Sequence, residues 1–369
     1  MNAKTLMCST LEEADIRVGG ERPWDIHVHD ERLYDRVMLR GTLGLGEGYV
    51  DGWWDCDALD SMICKAIQAR LENRVRHKLP ALASALCHSL FNLQTVRRAR
   101  MVAERHYNFS NDMFEQMVGP TMNYSCGYWR HARTLDEAQN DKMELICRKL
   151  QLEEGMEVLD IGCGWGGLAR YMAERRKVKV TAITVSTEQA AYARAKRPDL
   201  PITWLLQDYR SLAGRFDRVV SVGMFEHVGP KNYAGFLDTV KRVLAPDGLF
   251  LLHTIGSNGR MGGTDPWISK YIFPNGVIPS AERLAAALTN RYVVEDWHNF
   301  GADYDKTLMA WHGRFEEGYA RGAFSCTEQV RRMFCYYLLI CAGAFRARDL
   351  QLWQLVLSPR GVAGGYNCR

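Results

Sequence analysis

The stretch VLDIGCGWGG, Val158 to Gly167, restricts the possible fold more than any other part of this chain. An apolar run ends near Asp160. Gly162, Gly164 and Gly166 then follow at every second position, before the helical pattern GGLARYMAERR begins. Glycines are needed where backbone turns sharply and lets a ligand approach closely. The stretch therefore reads as a strand, a glycine loop and the first turn of a helix. Downstream, KVTAITV, STEQAAYARAKR, ITWLLQD, FDRVVSVG and GLFLLHTIG read as strand, helix, strand, strand and strand. That rhythm implies an α/β fold, a parallel doubly wound sheet with helices on both faces. LQLWQLVLS, near the end, is expected to be a final edge strand that closes the sheet.

A glycine run of this kind is compatible with NAD, FAD or a tight strand-to-helix turn. Two details favour S-adenosylmethionine. Asp160 lies two residues before the first glycine, where it can organise the loop Gly162–Cys163–Gly164 around a methionine ammonium. The second strand ends at Val185 without the acidic residue that a dinucleotide ribose would require. Many methyltransferases have an acid there too, so this is also a departure from them. Thr184 and Gln189 are the polar groups available instead for the ribose and amino-acid part. Asp208 and Tyr209 follow the third strand and suit the adenine amine and ring. The expected sheet is thus Rossmann-like, of the class I methyltransferase type.

At 369 residues the chain exceeds a usual single core, so two domains are expected. Residues 1–95 read as a small N-terminal α+β domain, in which the run GTLGLGEGYVDGWWDCD is taken as tight turns. A basic helical linker is expected to about residue 105, with a catalytic domain over 96–369. Net charge is only +4, which gives no argument for a nucleic-acid partner. Between Arg70 and His106, however, eight Lys or Arg (Arg70, Arg74, Arg76, Lys78, Arg97, Arg98, Arg100 and Arg105) face only Glu72 and Glu104. This is either a solvated helix face or a surface that meets anionic lipid headgroups.

Eleven scattered cysteines, with no CxxC and no zinc-like Cys/His spacing, argue against a disulfide framework and against a structural metal. The N-terminus has no signal pattern, and no apolar run reaches the roughly 18–20 residues of a membrane span. A cytoplasmic protein is expected, with any lipid contact peripheral, at the inner membrane surface.

A second constellation follows the fourth strand. VGMFEHVGPKNY places Glu226 and His227 at the carboxyl edge of the sheet, where open α/β sheets bind ligands. LLHTIG puts His253 near the end of the next strand, and NFGADYDKTLMAW brings Tyr304. A lone histidine after a strand is most often a satisfied polar group. A carboxylate, a histidine and a tyrosine aimed at one edge beside a sulfonium site weigh against that, with His227 the weaker of the two histidines.

The segments TLGLGEGYVDGWW, YSCGYW, VLDIGCGWGGLA, LLQDYR, VSVGMFEHVGPKNY, LLHTIG, KYIFPNG, EDWHNFGADYDKTLMAW and CAGAFRARDLQLWQ carry a resemblance. From about residue 15 to 358 the chain resembles the bacterial cyclopropane-fatty-acyl-phospholipid synthases that have an added N-terminal domain. The resemblance implies methylation of a cis double bond in a phospholipid acyl chain, followed by ring closure. It also implies a bound bicarbonate ion as base, gripped by Cys126, Glu226, His253, Tyr304 and the backbone around Ile255. A homodimer is implied as well, with the N-terminal domain carrying the dimer and lipid contact.

The chemistry asks for such residues. An alkene is a poor nucleophile and needs a strong electrophile, which a sulfonium methyl supplies. Attack leaves a carbocation, which Tyr128, Trp129, Tyr271, Phe273 or Tyr304 could face. A buried anionic base needs hydrogen-bond donors around it. Within NYSCGYW, Cys126 has neither the activating base nor the acyl substrate of a catalytic nucleophile, and it lacks metal-ligand spacing. The stretch is read as an arm over the cofactor. Tyr124 and Ser125 touch the methionine carboxylate side, and Cys126 turns inward as a weak donor. Competing readings are a lipid C-methyltransferase giving a methyl-branched or methylene product, an N-methyltransferase on a small amine, and a catalytically dead lipid-binding scaffold.

Overall fold

The computed structural model describes residues 2–71, 110–259 and 264–367. Of the eight basic residues singled out above, only Arg70 falls among them, and the expected linker helix lies outside the described residues. The chain divides into two compact units. One is formed by Met1–Asn92, Gly263–Pro274 and Tyr304–Leu350, the other by Leu93–Gly262, Asn275–Asp303 and Gln351–Arg369.

The first unit is mostly helical, with strands β1 (His27–Val28) and β2 (Trp54–Asp55) paired antiparallel. The glycine-rich run, expected to form tight turns, is instead the helix Thr42–Val50. Glycine disfavours helix by about 1 kcal/mol relative to alanine, so close packing must compensate. A Cβ on Gly44 would lie 2.4 Å from the Arg36 carbonyl oxygen. On Gly46 it would lie 2.5 Å from Trp267, and on Gly48 2.6 Å from Leu33. These glycines remove side chains so that neighbours can touch the helix backbone. Around them Tyr49, Trp54 and Tyr336 make edge-to-face and tilted ring contacts at 5.2–6.4 Å.

The second unit is built on a seven-stranded sheet. Its strands are β3 (Glu157–Ile161), β4 (Lys179–Thr184), β5 (Ile202–Leu206), β6 (Phe216–Val222), β7 (Leu244–Ser257), β8 (Val293–Asn299) and β9 (Leu350–Ser358). Their order is β5-β4-β3-β6-β7-β9-β8. The run from β5 through β7 is parallel, and β8 pairs antiparallel with β9. The expected α/β doubly wound architecture is therefore present. The chain leaves β3 towards β4 and β5, then returns on the other side with β6. This makes the carboxyl ends of β3 and β6 the switch point at which such sheets bind ligands.

Two details differ from the sequence reading. LQLWQLVLS is not the edge; it lies between β7 and β8, and all but its first residue are buried. Burial of successive residues, which point to opposite faces, is the mark of an interior strand, and here it includes Gln351, Gln354 and Ser358. The actual edge, VVEDWHN, is partly exposed and partly polar, so its pattern gave no strand signal. Apolar layers cover both sheet faces. Phe225, Phe236, Phe250 and Trp353 lie in one, and Met143, Ile146, Leu168 and Met172 in the other.

Candidate active site

The glycine loop follows β3 as expected. Gly162, Gly164 and Gly166 have φ of 83°, 55° and 82°, a region that side chains rarely adopt. The amides of Gly162 and Cys163 both donate to the Ile183 carbonyl at 3.0 Å, which ties the loop to β4. A Cβ on Gly162 would sit 2.8 Å from Met224, so the loop packs on the turn that follows β6. Burial pushes the Cys163 thiol well above its usual pKa, which makes it a packing group rather than a nucleophile. Asp160 is buried, one carboxylate oxygen has no hydrogen-bond partner, and desolvation pushes its pKa up to about 7. A buried carboxylate oxygen left bare at a switch point fits the ammonium or sulfonium of S-adenosylmethionine.

At the end of β4, the Thr184 hydroxyl donates to Gln189 Oε1 at 3.0 Å, leaving the Gln189 amide NH₂ as donor. Both side chains are buried, and Ser186 caps the helix Thr187–Ala195 between them. Asp208 caps the short 3₁₀ turn Tyr209–Ser211 and also pairs with Arg210 at 2.9 Å. Tyr209 packs edge-on against Phe236 at 5.1 Å. These four residues line the carboxyl ends of β4 and β5.

The arm is anchored at several points. Tyr124 packs edge-on against Phe114, which packs in turn on Trp165 of the glycine loop. A Cβ on Gly167 would meet the Thr121 carbonyl at 2.0 Å, so the arm crosses directly over the helix start. Ser125 is held twice, its carbonyl by Gln139 Nε2 and its hydroxyl by Lys142 Nζ, both at 2.8 Å. Cys126 is fully buried, and its thiol lies 3.1 Å from the Gly127 carbonyl. Tyr128 packs edge-on against His298 and Phe300.

On adjacent β6 and β7, Val222 is paired with His253, and Glu226 follows β6 in the turn Phe225–His227. Glu226 Oε1 accepts the Ile255 amide hydrogen at 2.7 Å, so that amide is committed to the carboxylate. Oε2 is buried and bare, and desolvation pushes the carboxyl up to about 7. His253 is buried, with Gln354 Nε2 3.2 Å from its Nδ1. An amide nitrogen donates, so Nδ1 accepts and the ring hydrogen lies on Nε2, which has no partner. Burial, aided by the Lys142 and Lys149 ammonium groups, holds the His253 pKa well below its usual value, so the ring is neutral. Burial lowers that of His227 too.

Tyr304 belongs to the other unit. It lies in the helix Ala302–Ala320, stacked on Phe345 at 4.5 Å and edge-on to Trp311 at 6.1 Å. Among the described residues no group of three or more His, Cys, Asp or Glu is placed to hold a metal ion.

Sequence reasoning missed Gln139, Lys142 and Lys149. All three lie in the helix Leu135–Lys149, which starts at a Thr134/Glu137 capping box. A signal existed. Leu135, Gln139, Lys142, Ile146 and Lys149 follow the 3.6-residue period, so three polar residues occupy the helix's buried stripe.

Fold and site together define a class I S-adenosylmethionine-dependent methyltransferase. Residues 94–355 match the model of the mycolic acid cyclopropane synthetase family, and the chain belongs to that family. It is 52% identical to the cyclopropane-fatty-acyl-phospholipid synthase of Escherichia coli, over 96% of this chain and 93% of that protein. The solved cyclopropane synthase MmaA2 of Mycobacterium tuberculosis is 31% identical, with a TM-score of 0.66, over 70% of this chain and 97% of that one. The mycolic acid cyclopropane synthase CmaA1, solved with SAH and CTAB, is also 31% identical, with a TM-score of 0.64, over 70% and 97%. Coclaurine N-methyltransferase shares the fold, with a TM-score of 0.70 at 22% identity, over 86% and 99%.

Proposed function

We propose that this chain methylates the cis double bond of unsaturated phospholipid acyl chains and closes a cyclopropane ring, with bicarbonate as the bound base. The observation that carries the reading is the pair of bare buried atoms Glu226 Oε2, in the turn after β6, and His253 Nε2, on neighbouring β7. One is an acceptor, or a donor when protonated, and the other is a donor while Nδ1 accepts from Gln354. Such a pair suits a small oxyanion that bears a hydroxyl of its own. The kinship with cyclopropane synthases supports the reaction class.

When bound, S-adenosylmethionine supplies an electrophilic methyl group and bicarbonate supplies a base. Asp160, Thr184 and Gln189 would bind and orient the first of these, together with Tyr124, Ser125, Asp208 and Tyr209 and the loop Gly162–Gly166. With both bound, transfer of the methyl to the double bond would break the sulfonium S–CH₃ bond, release S-adenosylhomocysteine and leave positive charge on the acyl chain, and one proton would then have to leave the new methyl for the ring to close. Cys126, Glu226, His253 and Tyr304 hold the base for that proton. The Ile255 amide serves by fixing Glu226. Burial raises the Glu226 carboxyl to about 7, so its protonated form is accessible and can donate to the ion, while the ionised form accepts the ion's hydroxyl. The arm's aromatic rings keep water from the cation.

On this reading residues 1–95 serve homodimer and lipid contact and 96–369 catalysis, although Gly263–Pro274 and Tyr304–Leu350 belong to the same compact unit as Met1–Asn92. The enzyme acts from the cytoplasm as a peripheral visitor to the inner membrane surface. None of the helices among the described residues is long and apolar enough to cross a membrane. Neutralising Arg97, Arg98 and Arg100 together should weaken binding to anionic vesicles, and more at low salt than at high salt. Equal binding by this variant would remove the basic surface from the account.

The decisive experiment is mass spectrometry of lipids from cells that express the chain. A gain of one CH₂ with no remaining double bond means cyclopropane. Two further hydrogens mean a methyl branch, and a retained double bond means a methylene or other C-methyl product. No lipid change rejects the proposal. Thorough decarbonation of the purified enzyme should slow turnover, and an unchanged rate would remove the ion's role.

A further inference from the structure

Lys142 lies within the helix Leu135–Lys149 and is 1% exposed. Its ammonium donates to Gln139 Oε1 at 2.6 Å and to Ser125 Oγ at 2.8 Å. Both partners are neutral, and among the described residues no carboxylate pairs with it. Lys149, two turns further along the same helix, is equally buried but has Asp296 at 3.0 Å and His298 Nδ1 at 3.1 Å. One buried ammonium is therefore neutralised and the other is not. An uncompensated buried charge is costly, and burial pulls the Lys142 pKa down to about 7.

The groups around Lys142 show where its charge is used. Cys126 on the arm is the neighbour of Ser125, whose hydroxyl accepts from Lys142. On β7, His253 feels both Lys142 and Lys149, stays neutral and carries its unpartnered hydrogen on Nε2. The Lys149–Asp296–His298 cluster flanks the same helix, and Glu226 is fixed two residues from His253 on the Ile255 amide. The region thus holds a lysine with only neutral hydrogen-bond partners and a bare histidine donor, while Asp296 is already paired with Lys149 and burial disfavours ionisation of Glu226.

We propose that Lys142 is a positioning residue that supplies the counter-charge for the anion held at Cys126, Glu226 and His253, while its bond to Ser125 fixes the arm presenting Cys126. The inference rests on the bicarbonate reading above and adds to it the charge balance. Anion binding keeps Lys142 protonated, and Lys142 in turn keeps the anion in place. The reacting atoms are not touched by Lys142 itself.

The test compares the wild type with Lys142→Met, Lys142→Gln and Lys142→Arg. Turnover on vesicles of dioleoyl phosphatidylethanolamine and phosphatidylglycerol is followed in decarbonated buffer as bicarbonate is added. The bicarbonate-induced rise in Tm is read separately, without lipid, and S-adenosylhomocysteine binding is measured by calorimetry. Lys142→Gln keeps a polar end for Ser125 and Gln139, and it carries the comparison if Lys142→Met does not fold. Expected for the neutral variants are an increase of about tenfold or more in the bicarbonate needed for half-maximal rate and loss of the Tm rise. S-adenosylhomocysteine affinity should stay within about threefold for Lys142→Gln, and Lys142→Arg should recover much of the bicarbonate response. If the wild type responds to bicarbonate and Lys142→Gln responds equally, the role of Lys142 is overturned and the bicarbonate reading survives. If the wild type shows neither response, the bicarbonate reading falls and the counter-charge role falls with it.

Discussion

Glu226 Oε1 accepts the Ile255 amide hydrogen at 2.7 Å, while Oε2 of the same carboxyl is buried and bare. Desolvation outweighs the hydrogen bonds from the Ile255 and Glu226 amides and from Thr254, and raises the pKa from 4.5 to about 7. Between those values the folded chain keeps a proton that the unfolded chain has released, so this group lowers stability as pH rises through the window. Glu226→Gln keeps an acceptor for Ile255 and cannot ionise. Its Tm relative to wild type, without ligands, should therefore climb from pH 5 to pH 8, by an amount on the order of 1–3 kcal/mol in stability. A pH-independent difference would contradict the assignment. Turnover by Glu226→Ala or Tyr304→Phe should fall to a small fraction of wild type.

Asp160 is the second buried acid with a bare oxygen, also raised to about 7. A ligand cation beside it favours ionisation and releases a proton. S-adenosylmethionine binding between about pH 4 and pH 7 should therefore release protons, which calorimetry detects in buffers of different ionisation enthalpy. Asp160→Asn should abolish the release and weaken binding by about tenfold or more, roughly 1.4 kcal/mol. Unchanged proton release in that variant would exclude Asp160 as its source.

Gly46 and Gly235 make opposite predictions for one chemical change. A Cβ on Gly46 would lie 2.5 Å from Trp267 and 2.7 Å from Tyr336, whereas on Gly235 it would meet nothing within 4 Å. Gly46→Ala should cost about 1–3 kcal/mol through overpacking. Gly235→Ala, inside the helix Tyr233–Val243, should gain up to about 1 kcal/mol. Urea unfolding of the two variants measures both.

The Lys149–Asp296 pair is almost wholly buried. Asp296→Asn leaves an ammonium without its counter-ion and should cost about 3–5 kcal/mol in the same assay. A loss below about 1 kcal/mol would show that His298 alone is a sufficient partner.

What could be read from the sequence was whatever is local. The strand, glycine loop and helix from Val158 onward announce themselves within a dozen residues, because apolar period and glycine placement are properties of neighbours. The Glu226 and His253 edge positions follow once the strands are assigned. The helix Thr42–Val50 was misread because glycine usually marks turns, and only the distant Trp267 and Tyr336 explain its use there. The place of β9 depends on pairing with β8, a non-local choice that β8's mixed pattern conceals. Lys142 escaped notice because lysine in a helix is normally a surface residue, although its position on the stripe from Leu135 to Lys149 marked it as buried.

That stripe has a mechanical consequence. An apolar helix face is held in register by shape complementarity alone. A face carrying Gln139, Lys142 and Lys149 adds directional bonds, because each meets one particular partner in Ser125 or Asp296. The helix behaves as a keyed shaft. Its angular setting is transmitted to the arm at one end and to the β8 edge at the other, so the alignment of Cys126 is indexed to the sheet rather than left to a loop.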